Sequence, residues 1–412
     1  MDKKILATIE LAEHEVRLIV GQFYNGRLNI LKVEKVAHHG IKNFKIVDTQ
    51  SVRQAIIKSV SNASENIGGE ISRVLVCMPS VDLTLKSRIH TMSINQVVSE
   101  SDLKAAYDQF TKETILDDQV LINVNFTKFH INGITTRKVP LYEKCNTLTF
   151  EADCYYINRD VAFDYLKVIE STGLEVIDIV LDDLGFAKEA ALFEQSINQP
   201  IIGVTLERAY TKLSLFVKGQ LTTNIYTDYS VQALFDRFYD VYDFNDDIIE
   251  RLVYYNLDVS NVSPSNDPVF AWNTKSKEHV LSQKDILDFV GNDIIQLLND
   301  VHVTSSPIYE FGEASFVISG EAAIIDGLDK ILESASDKEA SVYVPTTFGG
   351  KDVSFTSMLG VFYYYKDMVH YRQDTISSIN EKEFYKRNIY QETKVAQKTD
   401  GFTDKLKNLF ID

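Results

Sequence analysis

The chain has 412 residues, of which 45% are hydrophobic and 25% charged, and a formal net charge of −17. That length exceeds one compact core and points to two or more domains, while the acidic balance excludes a general nucleic-acid binder, which needs a basic footprint. No stretch approaches the roughly 20 apolar residues that span a bilayer, and Cys77, Cys145 and Cys154 have no C-x-x-C spacing, so they read as reduced thiols and not as metal ligands.

Strand signals open the sequence. "KILATIEL" carries Glu10 and lacks a small-residue cleavage site, so it reads as a strand and not as a signal peptide. "EVRLIVGQF" and "RLNILKVEKV" follow, joined by Asn25-Gly26, a strong hairpin signal because both turn positions need positive φ. The stripe Val52, Ile56, Val60 and Ala63 predicts a helix over 49–67, and "RVLVCMPS" predicts a buried strand. Residues 81–157 hold a helix, "ESDLKAAYDQFTKETI", among strands such as "QVLINVNFTKFHI" and "NTLTFEADCYYI". Glu100 and Asp102 suit that helix's N-terminus.

Near residue 200 the opening pattern returns: "PIIGVTLE", "YTKLSLFV", a turn at Lys218-Gly219, then "QLTTNIYTD". The repeat suggests two similar α/β domains. Residues 230–307 read as mostly helical, with Trp272 as a packing anchor after a proline-containing loop. Asp236, Asp240, Asp243 and Asp247 form a stripe that reads as a solvated helix face. From about 374 to 399 the chain turns polar and reads as a linker.

The segment 400–412 reads as an amphipathic helix. Phe402, Leu406, Leu409 and Phe410 stand at i, i+4, i+7 and i+8, with Lys405 and Lys407 beside that face to meet anionic headgroups. From Asn380 onward the tail holds seven Lys or Arg and six Asp or Glu, so it is about +1 in a strongly acidic chain. Burying four large apolar side chains contributes about 6–10 kcal/mol before ordering costs, so one tail binds weakly and several on one filament bind firmly.

Four ordered stretches resemble FtsA, the actin-like membrane adaptor of bacterial cell division. They are "HHGIKNFKIVD" (38–48), "GLEVIDIVLDDLGFAKEAAL" (173–192), "FVISGEAAIIDGLDKIL" (316–332) and "KDVSFTSMLGVFYY" (351–364). The resemblance implies the two-lobed α/β actin-like fold, shared with heat-shock chaperones and sugar kinases, with a nucleotide cleft between the lobes. It divides the chain into a first lobe (1–80 and 158–199), an FtsA-type inserted subdomain (81–157) and a second lobe (200–229 and 308–373). A helical subdomain (230–307), the linker and the membrane-targeting helix complete it. The implied partners are the FtsZ C-terminal peptide, further copies of the chain, an anionic membrane surface, and other divisome proteins through 81–157. The implied location is the cytoplasmic face of the membrane at the division site. Val290, Asn292, Asp293 and Gln296 are the candidate FtsZ groove, although the family often has an arginine where this chain has Val290.

The cleft motifs depart from the family. Actin-like proteins hold ATP phosphates on glycine-rich hairpins, where bare backbone N–H groups approach the anion. In the first loop, "ELAEHE", Glu10 replaces the aspartate, Ala12 the glycine and Glu15 the lysine; Glu13 and His14 lie between them. In the second, Thr205 stands for the metal-organising aspartate, and Glu207, Arg208 and Ala209 leave no glycine. The third keeps Gly320 but has Glu321 and Ala322 for the next two glycines. Each carboxylate about 4 Å from a polyphosphate costs about 1–4 kcal/mol. The expectation is a protein without useful ATPase activity and with no required cofactor, in which Lys212 or Arg208 supplies positive charge and Arg208 pairs with Glu10 or Glu13. ATP with Mg²⁺ is what the family alone implies. The functional expectation is an adaptor tethering FtsZ filaments to the membrane. The alternatives are an ATP-binding polymerising ATPase of the same fold and a pilus- or secretion-type adaptor.

Overall fold

The structure, a computed structural model, describes residues 3–112, 118–227, 229–274, 277–309, 312–372, 376–381 and 384. The chain opens with antiparallel strands β1 (Ile5–Leu11), β2 (Glu15–Tyr24) and β3 (Arg27–Ala37). Asn25 and Gly26 turn the second hairpin with φ of 50° and 76°, as its tight connection demands. A small hairpin, β4 (Ile41–Lys42) with β5 (Lys45–Ile46), leads to α1 (Thr49–Ile67). The Asp48 carboxylate caps this helix by accepting the Gln50 and Ser51 N–H groups, and Gly68 ends it in the left-handed region. Strand β6 (Arg73–Met78) then lies parallel to β1.

The insert comprises β7 (Thr84–Ser93), α2 (Glu100–Thr111), β8 (Gln119–Ile131), β9 (Ile134–Thr136) and β10 (Thr147–Asn158). Its sheet order is β7-β10-β8-β9. Asp102 completes a capping box with Ser99 at the start of α2. The chain returns through α3 (Arg159–Glu170), β11 (Glu175–Leu181), α4 (Asp182–Glu189) and α5 (Leu192–Gln195). The first lobe's sheet thus has the order β11-β6-β1-β2-β3.

The second lobe repeats the arrangement with β12 (Ile201–Leu206), β13 (Thr211–Val217) and β14 (Gln220–Thr227), and Lys218-Gly219 turns with φ of 53° and 79°. Helices α6 (Gln232–Tyr242) and α7 (Asp246–Asn256) follow, then β15 (Pro268–Thr274), β16 (Lys277–Ser282) and α8 (Gln283–Tyr309). The lobe closes with β17 (Ser315–Ser319), α9 (Leu328–Ser336) and β18 (Ala340–Val342), after which α10 (Thr356–Arg372) runs back onto the first lobe. Its sheet order, β14-β13-β12-β17-β18, mirrors the first: three antiparallel strands, then two added in parallel. The duplication read in the sequence is therefore present in the topology.

Two segments differ from the sequence reading. Within 230–307, read as mostly helical, β15 and β16 form a hairpin between the helices. Trp272 sits on that hairpin, stacked on His279 at 4.9 Å and edge-on to Phe244 at 5.0 Å. The expected linker also begins bound, because residues 376–381 strap across the first sheet. Ser378 donates its N–H to the Ile5 carbonyl and accepts the Ser72 and Arg73 N–H groups on its own carbonyl. Its Oγ accepts the Ala7 N–H at 2.7 Å, and Ile379 is 2% exposed beside Ile71. A polar "SSI" run supplies what strand ends lack, and a buried backbone needs such partners. The membrane-binding residues Phe402, Lys405, Leu406, Lys407, Leu409 and Phe410 lie outside the described residues.

Candidate functional site: an ionic knot between the lobes

Arg17 is 1% exposed and is the centre of the cleft. The β1–β2 register places it opposite Glu10, so the hairpin brings the pair together. Its Nη1 donates to Glu10 at 3.2 Å and its Nε to Glu15 at 2.6 Å, both in the first lobe. Its Nη2 donates to Glu207 at 2.8 Å and to Glu321 at 2.9 Å, both in the second lobe. One guanidinium thus ties four carboxylates together across the cleft. His14 adds a second crossing, with Nε2 3.1 Å from Glu321 and 3.9 Å from Glu15.

Glu321 has the richest set of donors. Besides Arg17 and His14 it accepts the Arg208 backbone N–H at 2.5 Å. A backbone amide, a guanidinium and an imidazole are what an anionic phosphate would require. Here a carboxylate of the chain holds them. Two further loop amides are engaged: Ala12 N–H donates to the Glu15 carbonyl and Glu207 N–H to the Tyr210 carbonyl. Gly320 survives for a local reason, since it has φ of 95° and a β-carbon there would press on the Leu206 backbone.

The titration pattern follows from one cation among many acids. Burial pushes Glu10 up to about 7 against the pull of Arg17, and it raises Glu207 in the same way. Burial opposes ionisation of Glu321 too, yet His14 and Arg17 outweigh it and hold this carboxyl down to about 2. Of the three, Glu321 is the one held below its ordinary value, because it combines both cations with a backbone N–H. Burial disfavours a charged His14, but Glu321 and Glu15 overcome this and raise it. Burial depresses His38 to about 4, with the charge on His14 adding to the effect. Its Nδ1 accepts the Gly40 N–H at 3.0 Å.

The floor of the cleft is also closed. Lys212, 1% exposed, pairs with Asp182 at 2.6 Å and Asp183 at 2.7 Å. Asn224 donates to the Ser80 carbonyl and to Asp183, both at 2.8 Å. Phe44 of the first lobe packs 5.0 Å from both Tyr210 and Tyr226 of the second. Side-chain nitrogen and oxygen atoms of His14, Glu15 and Glu321 lie within 4.8 Å of one another. The Arg17 guanidinium already bonds both carboxylates and supplies the positive charge there.

The sequence-predicted cleft residues separate into two groups. Glu10, His14, Glu15, Glu207 and Glu321 converge on Arg17, which sequence reasoning missed. Its signal was the opposition of Glu10 and Arg17 in a hairpin turning at Ala12–His14. Thr205 and Ala322 are buried. Ala12 and Ala209 lie in the two hairpin turns. Glu13 faces away and accepts the Phe44 N–H at 3.0 Å. The expected pairing of Arg208 with Glu10 or Glu13 is replaced by bonds inside the second lobe. Arg208 reaches Asp246 at 2.7 Å, Gln232 at 2.9 Å and Tyr239 at 3.1 Å, and lies over the Phe235 ring at 4.0 Å. Helices α6 and α7 offer it a carboxylate and an aromatic face, so it has no cause to cross.

On α8 the groove candidates also divide. Val290 is fully buried with Ile286, Ile294 and Leu298, because the 286-290-294-298 stripe faces the core; it is not a groove residue. Asn292 and Gln296 are exposed, and Asp293 pairs with Arg237 at 2.6 Å. Arg237 lies 4.7 Å over the Phe289 ring and is 46% exposed, so a cation borders this surface from α6 and not from position 290.

No family model matches the chain. It is 20% identical to the cell division protein FtsA of Staphylococcus epidermidis over 416 residues, covering 98% of this chain and 88% of that protein. It is also 20% identical to FtsA of Bacillus subtilis over 388 residues, covering 87% and 83%. Among solved structures, a PilM-PilN type IV pilus biogenesis complex aligns with a TM-score of 0.54 at 9% identity, over 87% of this chain and 98% of that one. MreB5 of Spiroplasma citri bound to AMPPNP aligns with a TM-score of 0.51 at 10% identity, over 89% and 98%. The architecture is the actin-like fold. Similar to FtsA at 20% identity over 87–98% of its own length, the chain is a divergent FtsA-like protein.

Proposed function

We propose that the protein is a bacterial cell-division adaptor that tethers FtsZ filaments to the cytoplasmic face of the membrane, and that it does so without binding or hydrolysing ATP. The division role draws on similarity to FtsA along almost the whole chain. The nucleotide-free state draws on one observation: Glu321 already holds the backbone, guanidinium and imidazole donors that a phosphate would need. A polyphosphate entering here would have to displace a buried carboxylate and meet three more. ATP with Mg²⁺ does not fit this donor set. The body then works by binding, and assembly raises membrane avidity through several tails. No helix among the described residues is long and apolar enough to cross a membrane, and the anchor in this reading is the amphipathic pattern of 400–412. The pilus-type alternative draws on fold likeness alone.

Calorimetric titration with Mg-ATP is expected to give no heat at nucleotide concentrations up to the millimolar range; micromolar affinity would end the nucleotide-free reading. For the tether, the intact protein is expected to carry FtsZ onto phosphatidylglycerol-rich liposomes. Leu406→Asp protein still captures the FtsZ C-terminal peptide in solution but loses at least about tenfold in liposome pelleting. Equal pelleting of the two proteins contradicts the anchor, and failure of both to capture the peptide contradicts the FtsZ role.

A further inference from the structure

We propose that the Arg17 knot is a proton-set latch: protonation of His14 draws the lobes together at mildly acid pH, and its loss at mildly alkaline pH lets the cleft mouth part. The inference rests on the nucleotide-free reading, since a phosphate at Glu321 would replace the latch. Its basis is geometric. The bonds that cross the mouth are those of Arg17 to Glu207 and Glu321 and of His14 to Glu321. Lys212 with Asp182 and Asp183 is a separate tie that does not involve His14.

The charged groups around His14 decide the sign. From β2 and the turn before it come Glu13, Glu15 and Arg17; His38 stands at the end of β3. Across the cleft stand Glu207 and Glu321, with Glu250 of α7 behind them. Carboxylates outnumber cations on both sides. A proton on His14 therefore adds a cross-lobe attraction to Glu321 that exceeds its repulsion from Arg17. A proton on Glu10 removes one of the like charges that crowd Glu207. His38 stays neutral in this range, so it does not oppose the change.

Linkage gives the same direction. His14 has a folded value raised above 6.5, so its contribution is fully present below 6.5 and is lost as pH rises through the folded value. Glu10, at about 7 in the fold and 4.5 unfolded, likewise favours the folded protein less as pH rises from 4.5 to 7. Glu321 has the opposite sign: its contribution is present above 4.5 and is lost as pH falls toward 2. The latch is tightest between about pH 4.5 and 6.5 and loosens as pH rises above 6.5 through the raised value of His14.

The test is a distance between spin labels on the full chain, carried by Lys58→Cys on α1 and Arg251→Cys on α7, both exposed positions. The native cysteines are buried and leave the labels to the introduced pair. The interlobe distance is expected to be short and narrow at pH 6.0 and longer and broader at pH 8.5. In a Glu10→Gln background, which removes the titration of Glu10, His14→Gln and, separately, Glu321→Gln are expected to hold one distribution at both pH values while keeping the circular dichroism of the parent. The same distribution at both pH values in the parent, or a pH response that survives in His14→Gln in that background, overturns the latch. A parallel arm with Mg-ATP at pH 8.5 judges the nucleotide-free reading alone. The pH response itself is read without nucleotide, so the two failures are distinct.

Discussion

Replacing Arg17 by methionine is expected to lower stability by about 3–5 kcal/mol, because it leaves buried carboxylates without their cation. Scanning calorimetry should show this as a fall of about 5 °C in the unfolding midpoint for a chain of this size. The figure comes from the removal of one partner, not from the worth of the pairs. Arg17 is 1% exposed and bonds Glu10, Glu15, Glu207 and Glu321. Without it, Glu10 and Glu207, already pushed up by burial, would lose the cation that offsets that burial. Glu321 would keep only His14 and the Arg208 N–H. Adding Glu207→Gln and Glu10→Gln to Arg17→Met removes the orphaned charges and should recover more than half of the lost stability. An unchanged midpoint in the single variant would mean that water reaches the knot freely, and that it neither replaces a nucleotide nor holds the lobes.

The pieces of this site differ in how legible they were. Asn25-Gly26 and Lys218-Gly219 turn their hairpins with positive φ, and the stripe at 52, 56 and 63 is the buried face of α1. These depend on neighbours within a few residues, and local pattern carries them. Arg17 lies in "EVRLIV", where the hairpin register offers only its pairing with Glu10. Its meaning comes from Glu207 and Glu321, which are 190 and 304 positions away. The strap was hidden for the same reason, since Ser378 meets Ile5 and Ala7 across the whole chain. The loss of glycines from the loops was visible, but it said only what the cleft lacks. What fills it needed the fold. Arg208 shows the converse error. Its charge was assigned to the nearest unpaired acids by motif position, while Asp246 and the Phe235 ring in its own lobe hold it.

Gly360→Ala is expected to lower the unfolding midpoint by about 2 °C, although alanine is the better helix former by about 1 kcal/mol. Helices α4 and α10 cross here with their backbones in contact. A β-carbon added at Gly360 would overlap the Gly185 carbonyl, and one added at Gly185 would overlap the Ser357 carbonyl. The obstacles are backbone atoms in the core, flanked by buried Leu184, Phe186, Leu359 and Phe362, and no rotamer change relieves them. Overpacking of this kind costs about 1–3 kcal/mol or more, which outweighs the gain in propensity. Gly312→Ala is the control, since a β-carbon there meets open space, and it should leave the midpoint unchanged. The consequence reaches past stability. Helix α10 begins where the second lobe ends, and its last residue, Arg372, pairs with Asp178 in the first sheet before the chain enters the strap. A wedge at Gly360 therefore pushes on the element that joins the lobes and sets where the tail leaves the body. In the Gly360→Ala protein the amides held by the strap, those of Ala7, Ser72 and Arg73, are expected to exchange hydrogen at least about tenfold faster, while the second-lobe strands β12 and β13 keep their protection. Uniform acceleration in both lobes would show instead that the crossing acts on the fold as a whole.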